Sequence, residues 1–248
     1  MIKNKSALMN RHIACPNLKF CLNMWVIPHL LKGLYMAFRA RSRHSFIKFC
    51  VRQRMAEKKG SIGMAAGQHY HLKRTVVLVG MMGSGKTAIG RALAAALDVP
   101  FVDSDAAIEE AAAATIAEIF ERDGEAFFRK REAEVLRRLL SGPPGIVSTG
   151  GGAFLSEANR DAIAQMGVAV WLDADLDILW ERVRHKDTRP LLRTADPKAT
   201  LTAIYQERTP IYSLAGLKIT VKDNASIEQT MRSVRDTLAS RPEILETR

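Results

Sequence analysis

One stretch of eight residues, 80–87, constrains the fold of this chain more than any other. It reads GMMGSGKT, follows the apolar run Thr75–Val79 and leads into an Ala/Leu-rich segment at 88–97. The pattern G-x-x-x-x-G-K-[ST], placed between a buried strand and a helix, is typical of a P-loop. The glycines allow backbone angles at which successive N–H groups point at a polyphosphate. The stretch therefore predicts a nucleoside triphosphate site rather than a plain turn.

The residues at the end of this loop and after the next strand predict how the phosphates are handled. Lys86 provides a charge for the β- and γ-phosphates, and the Thr87 hydroxyl is suited to ligate Mg²⁺. Asp103 and Asp105 follow a short apolar strand, at the edge of the sheet where ligands sit in α/β folds. Phosphoryl transfer needs one group near Mg²⁺ and one near the attacking hydroxyl. Alternatively, one of the two aspartates only caps the following helix.

Three further segments carry residues suited to a second ligand. Arg129 follows two aromatic residues, and Glu132 is spaced to hold its guanidinium in a helix, although a surface pair of this kind contributes at most about 1 kcal/mol. Three glycines at 150–152 follow an apolar strand, so the backbone can approach a ligand closely there. The segment 184–193 is polar and contains a proline, as in a mobile lid or a solvated basic loop.

Short apolar strands alternate with helical segments over most of the chain. Strands are predicted at 75–79, 101–102, 146–149, 168–172 and 218–221. Capping-box patterns begin helices at Thr115 and Ser226. This alternation predicts an α/β fold with three layers, a central five-stranded parallel sheet and no second domain after the first strand.

The basic excess of the chain is confined to its first quarter. Residues 1–56 contain eleven Lys and Arg and no Asp or Glu; removing these eleven from the total of 37 leaves 26, which equals the 26 Asp and Glu. The net charge of +11 therefore does not indicate a nucleic-acid partner for the remaining part. All three cysteines also lie in 1–56, so the rest has no disulfide framework and suits a reducing compartment.

Residues 1–70 are predicted to form a separate basic extension with little order, and 71–248 the folded domain. The apolar stretch at 20–38 is interrupted by polar residues and a proline, which argues against a membrane span. Scattered arginines without acidic residues resemble a transit peptide. A translation start at Met55 or Met64 is the alternative interpretation of the same composition.

Together these pieces resemble shikimate kinases, P-loop kinases that phosphorylate the 3-hydroxyl of shikimate with ATP. The motifs that carry the resemblance are GMMGSGKT (80–87), DSD (103–105), GEAFFR (124–129), STGGG (148–152), RPLL (189–192) and ERTPIY (207–212). The P-loop alone would not separate this family from other small-molecule kinases, but the six motifs in this order are specific. The resemblance covers residues 75–238 and implies a P-loop kinase fold with a mobile lid.

The resemblance implies a role for each matched residue. The nucleotide site would consist of Gly83, Ser84, Gly85, Lys86, Thr87, Ala88, Arg182 and the lid residue Arg189. Mg²⁺ would be held by Thr87 and, through water, by Asp103. The acceptor site would consist of Asp105, Arg129, Gly150, Gly151, Gly152 and Arg208. Lys86, Asp105 and Arg189 would be the catalytic residues, with Asp105 acting as base or orienting group.

The chemistry of the acceptor agrees with these assignments. A small carboxylic acid needs permanently charged, bidentate partners, which arginine provides and lysine does not.

The chain departs from the family at Ala113, where a glycine is usual, and we expect the alanine to stiffen that helix end. We expect ATP and Mg²⁺ as cofactors, a cytoplasmic monomer, no membrane partner, and no nucleic-acid partner for the kinase domain; nucleic-acid binding through residues 1–56 is an alternative. Rival hypotheses are a kinase for gluconate or a nucleoside monophosphate, and a nucleotide-dependent binding protein without turnover.

Overall fold

A five-stranded parallel sheet with flanking helices forms the centre of the computed structural model, which describes residues 69–185 and 190–247. The strands in chain order are β1 Tyr70–Leu72, β2 Thr75–Val79, β3 Phe101–Asp103, β4 Ile146–Ser148, β5 Gly167–Ala174, β6 Leu217–Val221 and β7 Leu245–Thr247. The helices are α1 Lys86–Leu97, α2 Ser104–Ala112, α3 Ile116–Leu140, α4 Glu157–Met166, α5 Leu176–Val183, α6 Pro197–Tyr212 and α7 Ile227–Ala239. The predicted α/β fold and its five parallel strands are confirmed.

The position of β2 in the sheet decides where the functional loops meet. The strand order is β3-β4-β2-β5-β6, so β2 is central, and all five of its residues are buried. It pairs in parallel with β4 on one side, Val77 opposite Val147, and with β5 on the other, Val77 opposite Ala169. Parallel strands end at the same edge of a sheet. The loop after β2 therefore lies beside the loops that follow β4 and β5.

The core is built from the apolar strands and the inner faces of the helices. Leu93 of α1, Val234 of α7 and Leu179 of α5 are fully shielded from solvent, and most residues of β2 and β5 are buried. A smaller apolar cluster joins α2 to α3 through Ile108, Ile119, Phe128 and Val135. In the described part of the chain, no helix is long and apolar enough to cross a membrane.

The ends of several helices follow the sequence patterns. In both predicted capping boxes the hydroxyl of the first residue and the side chain three residues later are reciprocally bonded to backbone N–H groups, at Thr115–Glu118 and Ser226–Gln229. Helix α3 continues on both sides of Gly124, whose φ of 79° and ψ of 173° are not helical. Because glycine tolerates a positive φ, the helix kinks at this residue.

Two features of the fold were not predicted from the sequence. Strands β1 and β7 form a separate antiparallel pair, with Tyr70 opposite Thr247, and β1 begins one residue before the predicted domain start. Ala113 caps the carboxyl end of α2 with φ 49° and ψ 33°, a left-handed conformation that costs an L-residue roughly 1–2 kcal/mol. The alanine therefore strains this helix end instead of simply stiffening it.

Candidate functional site

The loop between β2 and α1 is folded as a P-loop. Gly85 precedes the first helical residue with φ 96° and ψ 10°, which a residue with a side chain adopts only at a cost. The Ser84 N–H donates to the Met81 carbonyl at 3.2 Å and closes the turn. Helix α1 then begins at Lys86, so its free N–H groups and positive dipole end face the loop. These features make an anion-binding cradle.

Lys86 lies inside this cradle. Its side chain is buried, and Nζ donates to the carbonyl oxygens of Gly80 at 2.8 Å and Met81 at 2.9 Å. The ammonium group is thereby kept at the loop by main-chain acceptors. A flexible four-carbon stem allows the same group to turn towards phosphate oxygens.

Thr87, Asp103 and Ser148 bring oxygen atoms together at the edge of the sheet. The Thr87 hydroxyl donates to Oδ2 of Asp103 at 3.1 Å and lies 3.3 Å from the Ser148 hydroxyl. Hydroxyl and carboxylate oxygens are hard ligands of the kind that Mg²⁺ prefers. The donor set thus fits the predicted metal. Ser148 was not assigned a role from the sequence, although its place at the carboxyl end of β4 was a signal for one.

Asp103 also caps helix α2. Its Oδ1 accepts a hydrogen bond from the Asp105 N–H at 3.1 Å, while Oδ2 accepts from Thr87. Asp103 therefore caps α2, as the alternative supposed for one aspartate of the pair, but it does not only cap the helix. Capping does not remove the residue from the P-loop, because the two carboxylate oxygens serve different partners.

Asp105 faces the glycine loop that follows β4. A Cβ atom built on Gly150 would lie 2.5 Å from Oδ1 of Asp105, closer than atoms of this kind approach. Glycine at this position therefore makes the room that the carboxylate occupies. The two aspartates are separated by one residue, and they point to different parts of the site, Asp103 to the P-loop and Asp105 to the glycine loop.

Arg129, on α3, is held by two carboxylates. Its Nη1 donates to Glu132 at 3.0 Å, and its Nε and Nη2 donate to Glu125 at 3.2 and 3.1 Å. Burial lowers the pKa of Arg129, but the two carboxylates outweigh this and raise it above its usual value. Because the Glu132 side chain is only 2% exposed, the interpretation of a weak surface pair is wrong.

In this arrangement, burial makes the charged form of the Glu132 side chain less favourable. Burial raises the pKa of its carboxyl group above the ordinary 4.5, although the charge and hydrogen bond of Arg129 act in the opposite direction. The neighbouring charges of Asp105 and Glu125 raise it further. The acidic and basic groups of the site are therefore electrostatically coupled through the Arg129–Glu132 ion pair, in which Glu132 is buried and Arg129 is partly exposed.

Arg208 and Tyr212 lie one turn apart on α6, and both adjoin Gly151 of the glycine loop. The Tyr212 hydroxyl donates to the Gly151 carbonyl, and burial raises its pKa while nearby Arg208 opposes the shift. Nε of Arg208 is buried and has no hydrogen-bond partner among the described residues. A buried N–H donor of a charged guanidinium without a protein acceptor is suited to bind an anionic ligand. The role of Tyr212 was missed, because the sequence does not show what its hydroxyl reaches.

The glycine loop connects both arginines to the P-loop. A Cβ atom on Gly151 would lie 3.8 Å from Nη1 of Arg208 and 4.0 Å from the Gly80 carbonyl that accepts from Lys86. The neighbouring Gly152 adjoins Arg129. The structure therefore brings Arg129, Arg208 and Lys86 to one region.

A cavity of about 490 Å³ occupies the nucleotide side of this region. Its lining includes the P-loop residues between Met82 and Ile89 except Ser84, both aspartates, Gly150, Gly151 and residues after β6. The side chain of Ser84 is fully buried instead. Arg182 lines it too and donates to the Gly83 carbonyl at 3.3 Å. The lid residue Arg189 lies outside the described residues, as do positions 186–188, so the lid stays a prediction.

Comparison with known proteins identifies the family. A family model described as shikimate kinase matches residues 82–239. A shikimate kinase of Ruegeria pomeroyi is 63% identical over 71% of this chain and 90% of that protein, and one of Cereibacter sphaeroides is 56% identical over 79% and 96%. A solved shikimate kinase from Acinetobacter baumannii, in complex with shikimate, is 35% identical with a TM-score of 0.62, covering 68% of this chain and 94% of that one.

Proposed function

The chain belongs to the shikimate kinase family, and from this premise we propose that it transfers the γ-phosphoryl group of ATP to the 3-hydroxyl of shikimate. The observation that carries the proposal is the pair of guanidinium groups, Arg129 and Arg208, at neighbouring glycines of one loop beside the P-loop. An acid acceptor needs such partners, and a phosphoryl donor needs the cradle.

The described residues divide the reaction among them. The P-loop amides and Lys86 hold the β- and γ-phosphates, and the arginines hold the acceptor carboxylate so that the hydroxyl faces phosphorus. In transfer, the bond from the hydroxyl oxygen to γ-phosphorus forms while the bond from γ-phosphorus to the ADP oxygen breaks. Asp105 accepts the hydroxyl proton or positions the group that carries it. Positioning and charge stabilisation supply most of the acceleration in such reactions.

Thr87 and Asp103 are the residues we propose for holding Mg²⁺, with Ser148 beside them. When bound, the ion neutralises charge on the phosphates. Arg182 is proposed to contact the nucleotide from α5, and Arg189 to reach the phosphates from the lid.

The test of the activity is an acceptor panel. The protein is incubated with ATP and Mg²⁺ together with shikimate, gluconate or AMP, and the phosphorylated products are identified by mass spectrometry. Shikimate 3-phosphate alone is expected. Phosphorylation of gluconate or AMP without shikimate would overturn the proposal, and ADP release with none of the three acceptors phosphorylated would favour a binding protein with residual hydrolysis.

Asp105→Asn tests the assignment of the acceptor site. Removal of a general base lowers turnover by a factor of 10² to 10⁴, so we expect a loss of at least about 100-fold in kcat with ATP binding nearly intact. Asp161→Asn, an exposed change on α4, is the matched control and is expected to leave kcat unchanged. Equal turnover in the wild type and Asp105→Asn would remove Asp105 from the mechanism.

Three wider assignments are also proposals. Residues 1–70 are proposed to be a separate extension, so a chain beginning at Met64 should keep its kcat. A cytoplasmic location is supported by the confinement of cysteine to residues 1–56. A monomeric state is also proposed, since the proposed site needs no residue from a second copy, and sedimentation at micromolar concentration would test it.

A further inference from the structure

A second cavity, of about 410 Å³, lies between α2 and α3 and shares no lining residue with the proposed active site. Its floor is apolar and includes Ile108 and Ala112 of α2 and Phe127 and Val135 of α3. Its polar lining consists of Arg122, Arg131, Glu134 and Arg138, all of α3. Small-molecule sites combine apolar lining with polar groups that orient the ligand, and this cavity has both, with a larger charged share than most.

The cavity faces away from the acceptor site. An α-helix has 3.6 residues per turn, so Phe127, Arg131, Glu134 and Arg138 form one stripe, with Arg129 on the opposite side of α3. Arg129 is engaged there with Glu125 and Glu132. The lining arginines therefore have no place in the transfer reaction described above.

The charges at the rim are not fully balanced. Arg131 pairs with Glu134 at 2.7 Å and lies 4.9 Å from the centre of the Phe127 ring. Arg122 forms an ion pair with Asp123 at 2.7 Å. The hydrogen bond from Arg122 lowers the pKa of Asp123, and the charge of Arg131 lowers it further. Arg138 makes no ion pair with any residue that the structure describes. The cavity thus presents one uncompensated guanidinium group above an apolar floor.

We propose that this cavity binds a small amphipathic anion, a carboxylate or phosphate carried on an apolar ring. The anionic group lies against Arg138 and the rim arginines, and the ring covers Phe127 and the α2 residues. Inorganic phosphate lacks the ring and an uncharged aromatic alcohol lacks the anion, so both bind more weakly. The proposal concerns binding alone and does not depend on the reaction proposed for the other site.

Calorimetric titration of the full chain with phenyl phosphate tests the proposal. Saturating ADP, Mg²⁺ and shikimate are present throughout, so that the phosphate cradle and the acceptor site are occupied. The same titration is made with inorganic phosphate, with benzyl alcohol, and with the variants Arg138→Gln and Arg137→Gln. Arg137 is exposed on the same helix and does not line the cavity, so its variant is the matched control.

We expect one phenyl phosphate per chain and a Kd raised at least about tenfold in Arg138→Gln, because a charge-assisted contact is lost. Arg137→Gln should bind like the wild type, and both variants should keep the wild-type kcat and melting temperature. Absence of binding by the wild type, equal binding by Arg138→Gln, or equally tight binding of inorganic phosphate would each overturn the proposal.

Discussion

A Cβ atom on Gly152 would lie 2.6 Å from Nη1 of Arg129 and 3.0 Å from Nη2. The missing side chain of one residue thus makes the space for the guanidinium of another, 23 positions earlier in the chain. Since Glu125 and Glu132 also bond this guanidinium, Arg129 is held by two carboxylates and packs against the backbone of Gly152. This relationship explains why a glycine is needed at the end of the loop.

Gly152→Ala should weaken acceptor binding without unfolding the protein. The atoms that the new methyl group meets are the end of a flexible side chain, so Arg129 moves and the fold is kept. Loss of a charge-assisted contact predicts a KM for shikimate raised about tenfold or more, with the KM for ATP unchanged. Gly142→Ala, where the nearest atom is 3.4 Å away, is the control. An unaltered KM for shikimate in Gly152→Ala would show that Arg129 does not contact the acceptor.

Glu132→Gln should change both acceptor binding and the pH dependence of stability. Because burial raises the pKa of Glu132 above 4.5, the folded chain holds this proton more tightly than the unfolded chain. That contribution to stability is complete below the unfolded pKa and is lost as the pH rises through the folded one. The free energy of unfolding of the wild type, measured relative to the variant by urea denaturation, should therefore fall as the pH rises from 4.5 upwards.

The same variant should raise the KM for shikimate, since Arg129 loses the buried partner that orients it. Glu125→Gln is the control for this effect, because the Glu125 side chain is 67% exposed and its pair with Arg129 is screened by water. A larger effect of Glu125→Gln than of Glu132→Gln on KM would contradict the assignment of Glu132 as the orienting residue.

Two substitutions of Asp103 should separate its structural and metal-binding roles. Asparagine caps helices as well as aspartate does, so Asp103→Asn should keep the melting temperature while raising the Mg²⁺ concentration needed for half-maximal activity. Asp103→Ala removes the cap as well and should lower the free energy of unfolding by about 1 kcal/mol. If Asp103→Asn shows a normal Mg²⁺ requirement, the residue serves only as a cap.

Ala113→Gly should stabilise the protein by about 1 kcal/mol, because glycine relieves the left-handed strain at the end of α2. The measurement is thermal or urea unfolding. Ala112→Gly, one residue earlier and still helical, should destabilise by about 1 kcal/mol through the entropy of glycine. Destabilisation by both changes would mean that the strain at position 113 is absent in solution.

Much of the fold could be predicted from local patterns. The strand Thr75–Val79 has the predicted bounds, and the capping boxes at Thr115 and Ser226 begin α3 and α7 as predicted. Such elements depend on residues within a few positions of each other. The pair β1–β7 was not predicted, because three residues carry little periodicity and the partner strand is at the other end of the domain.

The sequence by itself determined the P-loop, the order of strands and helices, and the residue types available for a phosphate and an acid. These follow from motif spacing and local backbone preferences, which act over a few residues. Only the tertiary structure decided that Glu132 is buried, that Tyr212 reaches Gly151, and that Asp103 both caps α2 and meets Thr87. Burial and long-range contacts depend on how the helices pack on the sheet, and no single segment of sequence contains that information.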